Sequence, residues 1–311
     1  MARRFFIQII IVAAIAMLLS SLYYKSICNN LRETKKGIPG KLNQILYDSD
    51  KYDAVFVGSS RVLRNIDPIL FDSITGMHSY NAGIDGANLT LIMAMTKNFI
   101  DCHKGTKFVF INLDTYTMEQ DSSIFYYPQL FPHMDDPDME ALAVIEPKLL
   151  LGRKFPFLAI SYVDDNLKGA AFQNLYDKCP ACDPIFNSRG FAPIGSFEYH
   201  GKPDSEEPMR FVCDGMGFKK LDSLCGYCTG QHCKVYFIMA PMYNFNSGNG
   251  SNAAAYYTLL QKIELKYSIR ELNFYNDKRF TKGFFYNNTH MNINGAEMYS
   301  HILADSFLHQ Q

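Results

Sequence analysis

The chain carries no surplus of charge of either sign: 30 lysines and arginines stand against 31 aspartates and glutamates in 311 residues, a net of −1. That balance provides no basic field for a phosphate backbone, so nucleic acid is not the expected partner. Internal repeats and low-complexity tracts are also missing, which removes solenoids and disordered tails from consideration. Charge is absent altogether from Phe5 to Tyr24. About 20 uncharged residues match a helix that crosses a bilayer. The paired Arg3 and Arg4 ahead of it are expected to stay in the cytoplasm, which puts everything after Lys25 outside the inner membrane in a single-pass arrangement. The run Ser20-Ser21-Leu22-Tyr23-Tyr24 lacks a small-x-small cleavage site. Residues 1–24 are therefore read as a retained anchor rather than a cleaved signal peptide, and either form exports the rest.

What is present is enough for a packed core, since 48% of the residues are hydrophobic. Residues 25–50 contain Lys35-Lys36-Gly37-Ile38-Pro39-Gly40 and read as a connector, with one α/β domain over 51–311. Strand-like tracts at Asp53–Val57, Ser79–Asn81, Lys107–Asn112, Lys234–Ala240 and Glu271–Tyr275 alternate with helical ones. Asp67-Pro68 and Asn88 supply helix starts, and a last helix runs from Asn294 to about Leu308. Such alternation predicts a doubly wound, mainly parallel sheet. Residues 115–233 break the rhythm with ten prolines and read as an insertion over one end of that sheet.

The insertion holds six of the eight cysteines: Cys179, Cys182, Cys213, Cys225, Cys228 and Cys233. In an exported domain an even cluster reads as disulfides, with fifteen pairings open. The alternative is a structural zinc on Cys179, Cys182, Cys225 and Cys228, two Cys-x-x-Cys pairs spaced for a tetrahedral thiolate site.

The chemistry concentrates elsewhere. Gly58-Ser59-Ser60-Arg61 follows the first strand, where a hydroxyl is lifted out of a parallel sheet. Near the other end, Asn287-Asn288-Thr289-His290-Met291-Asn292 delivers a histidine just before the terminal helix. Ligands of doubly wound sheets gather beyond the carboxyl ends of the strands, and both segments belong there. A serine first and a histidine last is the order of several hydrolase folds.

The order of these blocks, with Asn81-Ala82-Gly83-Ile84-Asp85-Gly86 and Asn112-Leu113-Asp114 between them, resembles the SGNH (GDSL-like) hydrolase superfamily. The resemblance extends to membrane-anchored members of the bacterial cell envelope that move acyl groups onto extracellular polymers. It implies a flavodoxin-like sheet and O-acyl esterase or acyltransferase chemistry on a cell-envelope glycan. It implies Ser60 as nucleophile, His290 as base, and the N–H groups of Ser60 and Gly86 as oxyanion donors. No cofactor is implied; a membrane-bound acyl-transfer protein is an implied partner. The chain departs from the family pattern in three places. Ser59 replaces an aspartate. Asp114 stands where an asparagine donates to the oxyanion, leaving Asn112 as substitute donor and Asp114 and Arg61 as candidate substrate ligands. Asn287 stands where an aspartate orients the histidine. These departures keep a second reading open, a catalytically degenerate subunit that binds or assembles within an envelope polysaccharide complex.

Overall fold

The computed structural model describes residues 2–176, 189–201, 209–243 and 252–311. In chain order the helices and strands are α1 (Ala2–Glu33), α2 (Gly37–Tyr47), β1 (Ala54–Val57), α3 (Ser60–Asn65), α4 (Pro68–Thr75), β2 (Ser79–Asn81), α5 (Leu89–Cys102) and β3 (Phe108–Asn112). They continue with α6 (Pro137–Glu140), α7 (Leu151–Lys154), α8 (Pro156–Ala159), α9 (Asp165–Tyr176), α10 (Gly215–Gly230), β4 (Lys234–Met239), α11 (Ala253–Tyr267), β5 (Arg270–Asn273) and α12 (Ile293–Leu308). The chain divides into two compact units, one combining residues up to Gln44 with those from Tyr126 to α9, the other combining Ile45–Phe125 with the described residues from Arg189 onward.

In the first unit, α1 is long and apolar enough to cross a bilayer: an 18-residue window has mean hydropathy 2.5 and none of it is buried. Its last third changes character. Tyr24, Ile27, Cys28 and Leu31 recur every three or four residues and are buried, the stripe of a helix that packs along one face. The partners on that face are short: the 3₁₀ turn Tyr127–His133, α8 and α9. Prolines at 132, 137, 147 and 156 keep the segments before α9 short, because each removes a backbone donor.

The second unit is a five-stranded, all-parallel sheet in the order β2-β1-β3-β4-β5. The register runs Val55↔Tyr80, Phe56↔Phe110, Phe110↔Tyr236 and Ile238↔Leu272. Alternate residues point to opposite faces. Ala54, Phe56, Phe110, Tyr236, Ile238 and Leu272 meet Phe71 of α4 and Tyr299, Leu303 and Phe307 of α12. Val55, Val57, Val109, Ile111 and Phe237 are equally buried on the other side, where α5, α10 and α11 pack together. The strand order reverses between β1 and β3, and loops diverging there leave a crevice at the carboxyl edge.

Three expectations change. The 25–50 connector is helical over most of its length, since α1 continues to Glu33 and Gly37, at φ +63°, opens α2. Residues 115–233 are not one insertion: Tyr126 to α9 belongs with α1, whereas α10 belongs with the sheet. Helix α10 was legible in Phe218, Leu221, Leu224, Cys225 and Cys228, an apolar stripe three and four residues apart. Reading Cys225 and Cys228 as half of a zinc or disulfide cluster hid that period.

Candidate active site

Strand β1 is buried throughout, and where it ends the backbone must turn in very little space. A Cβ on Gly58 would stand 2.6 Å from Val62 Cγ2 and 3.0 Å from Asn112 Cβ, so only glycine fits. Ser59 then caps α3, its Oγ accepting from the Arg61 N–H at 3.3 Å. Ser60 is consequently the first helical residue, and its N–H is one of the donors that a helix start leaves without an intrahelical partner.

The histidine loop is built just as tightly. Asn292 caps α12, accepting from the Gly295 N–H at 3.0 Å while donating to Gly283 O at 2.7 Å. Phe285 and Met291 form an antiparallel bridge, which folds residues 286–290 into a hairpin tip. The fully buried Asn65 accepts from the Met291 N–H at 3.0 Å. Helix α3 thus begins at Ser60 and, with its last residue, holds the neighbour of His290. The result is a Ser60 Oγ to His290 Nε2 distance of 2.7 Å, with both residues half-buried and reachable.

Asn287 completes the row from behind. Its Oδ1 accepts from the backbone N–H groups of His290 at 2.7 Å and Thr289 at 3.0 Å, which fixes the amide with its oxygen toward the ring. His290 Nδ1 lies 3.2 Å from that oxygen. An acceptor at this position selects the tautomer with the proton on Nδ1 and the lone pair on Nε2, facing Ser60. Exchanging the triad acid for an amide is damaging chiefly when it enforces the wrong tautomer. Here two backbone donors prevent that. Burial first, and then the Arg61 cation, push the His290 pKa below its usual 6.5, so the ring is a neutral base at pH 7.

Ser59, Arg61, Asn112 and Asp114 belong to a second network. Asp114 Oδ2 accepts from Ser59 Oγ at 2.6 Å, and its Oδ1 accepts from Arg61 at 2.7 Å and from the Asn112 amide at 2.9 Å. Arg61 also donates to the carbonyls of Ala240 and Pro241 and lies over the Tyr275 ring at 5.3 Å. Arg61 and Asp114 are each 1% exposed. Burial disfavours the Arg61 cation, but Asp114, Tyr275 and Tyr116 together outweigh it and the guanidinium pKa is raised. The expectations that Arg61 binds substrate and that Asn112 donates to an oxyanion do not fit this arrangement, since both are buried and bonded to Asp114; Asp114, bonded to them, also borders a cleft.

Gly86 approaches from β2. The loop after that strand keeps pairing with the end of β1, Ala82 N–H to Phe56 O at 2.8 Å and Ile84 N–H to Gly58 O at 3.1 Å. A turn closed by Ala87 N–H to Ile84 O at 3.1 Å then presents Gly86 at φ +66°. The Phe125 ring rests on it, 2.6 Å from where a Cβ would be. A cleft of about 220 Å³ opens there, lined by Gly86, Asn88, Asp114, Tyr116, Glu119 and Asp121 among others; Ser60 and His290 are outside its lining.

Among the described residues the cysteines form no part of this site. Cys179 and Cys182 lie outside the described residues. Cys213, Cys225, Cys228 and Cys233 are free thiols, and among the described residues no group of three or more metal-ligating side chains converges. Burial raises the Cys225 and Cys228 pKa values, favouring the thiol over the thiolate that zinc requires. Sequence reasoning missed Asn65 and Tyr275. Neither is marked by local spacing, because each acts on a residue more than 200 positions away in the chain.

No protein family matches this chain, and no curated protein matches it.

Proposed function

We propose that the protein is a membrane-anchored O-acyl esterase or acyltransferase of the SGNH type, with a flavodoxin-like catalytic domain outside the inner membrane. Its substrate is an acylated cell-envelope glycan. The observation that carries this reading is the 2.7 Å Ser60–His290 contact at the carboxyl edge of a parallel sheet. Ser60 Oγ attacks the acyl carbonyl carbon as His290 Nε2 takes its proton. The oxyanion is met by the N–H groups of Ser60 and Gly86. Collapse expels the alcohol, which receives the proton from His290. Water, or the hydroxyl of a second glycan, then resolves the acyl-serine by the same steps in reverse. Glycan hydroxyls have exposed polar partners at Glu119 and Gln120 in the cleft beside Gly86.

The commitment of Asn112 and Asp114 to Arg61 favours a second reading, a subunit that retains the fold and binds glycan without turnover. Two measurements separate the readings. The ectodomain labelled by a fluorophosphonate, and hydrolysing p-nitrophenyl acetate at a rate that Ser60→Ala lowers at least about 10³-fold, is an enzyme. No labelling and no Ser60-dependent rate leaves the binding subunit.

A further inference from the structure

Helix α9 carries an exposed apolar edge beside the end of the apolar span. Within the first unit, Leu167 and Ala171 are its buried inner stripe. Phe172 and Leu175, three residues apart and so on one side of the helix, are 44% and 50% exposed. The Phe172 ring stands 6.2 Å from that of Tyr23, which is itself 40% exposed at the end of the charge-free run. Two residues further along α9, the Asn174 amide donates to the carbonyl of Asn30 at 3.0 Å.

These two contacts orient the helix. Tyr23 and Asn30 are seven residues apart on α1, about 10 Å along its axis at 1.5 Å per residue. Both contacts set α9 against the part of α1 from Tyr23 to Asn30, with Phe172 on the side of the span and Asn174 away from it. We propose that α9 is an interfacial helix. With α1 upright in a bilayer, α9 sets Phe172 and Leu175 in the boundary between phospholipid headgroups and acyl chains, beside Tyr23. Aromatic rings and an apolar helix edge at that depth suit the interface. The continuity of this edge with the exposed surface of Leu18, Leu19, Leu22 and Tyr23 identifies the bilayer as what covers it. The inference rests on α1 spanning the membrane.

The chain contains no tryptophan, so a single introduced indole reports its own surroundings. Full-length protein in vesicles of phosphatidylcholine and phosphatidylglycerol, with a fraction of lipids brominated at carbons 6 and 7, is compared for four variants. Leu18→Trp reports the span and Asn29→Trp a position beyond it. Phe172→Trp and Leu175→Trp test α9, the second keeping the test valid should the first disturb folding. The expected result is blue-shifted emission and about twofold quenching for the α9 variants, close to Leu18→Trp, with Asn29→Trp unquenched. Quenched Leu18→Trp with both α9 variants as unquenched as Asn29→Trp overturns the proposal and leaves the anchor standing. An unquenched Leu18→Trp removes the anchor and the proposal together.

Discussion

Two adjacent serines at the end of β1 enter networks of opposite character. Ser60 faces outward into a neutral row, Ser60–His290–Asn287, whose members are half-buried and accessible. Ser59 faces inward onto Asp114 and Arg61, a charged pair closed off from solvent. The two departures from the SGNH pattern that the sequence resembles, at Ser59 and Asp114, fall in the same inward network. A buried carboxylate there requires partners, and Arg61, Ser59 and Asn112 bond to both of its oxygens. The residues that look like catalytic losses thus compensate one another structurally, while the outward row stands apart from them.

The contrast can be broken from either side. Asp114→Ala should be the most damaging change outside Ser60, because it leaves Arg61 buried without its counter-charge; a loss of about 3–5 kcal/mol in urea denaturation is expected. If Asp114→Ala leaves stability unchanged, the inward network is not structural. Asn65→Ala removes the acceptor that holds the Met291 N–H. A loss of about 1–3 kcal/mol is expected, with a lower turnover of p-nitrophenyl acetate as the His290 loop loosens. Asn287→Asp should raise turnover by about tenfold, since a carboxylate adds charge stabilisation of the imidazolium to an orientation already correct. An unchanged rate would place the limiting deficit at the oxyanion instead.

The smallest effect is in pH. A base works when neutral, so the rate should rise with pH through the folded-state pKa of His290, and burial with Arg61 places that midpoint below 6.5. Stability follows the same sign. The unfolded chain takes the proton first, so the contribution from neutral His290 is complete above about 6.5 and declines as pH falls toward the folded value. A rate midpoint at or above 6.5 would contradict the environment described for the ring.

The two units differ in how readable they are. In the sheet unit, the three central strands are short apolar runs and most helices begin at a capping residue, such as Asp67, Asn88 or Asn292, so local chemistry announces these elements. In the anchor unit, short turns between prolines acquire their form by packing against one stripe of α1, and nothing within Tyr127–His133 or α8 states that partner. The charge-free run, the alternation of strands and helices, and the Ser60 and His290 positions follow from the sequence because each depends on residues within a few places of one another. The roles of Arg61, Asn112 and Asp114, the orientation of the Asn287 amide, and the hold of Asn65 on Met291 were decided by the tertiary structure. Each requires groups dozens to hundreds of residues apart to meet at hydrogen-bond distance, and a one-dimensional pattern carries no record of which ones will.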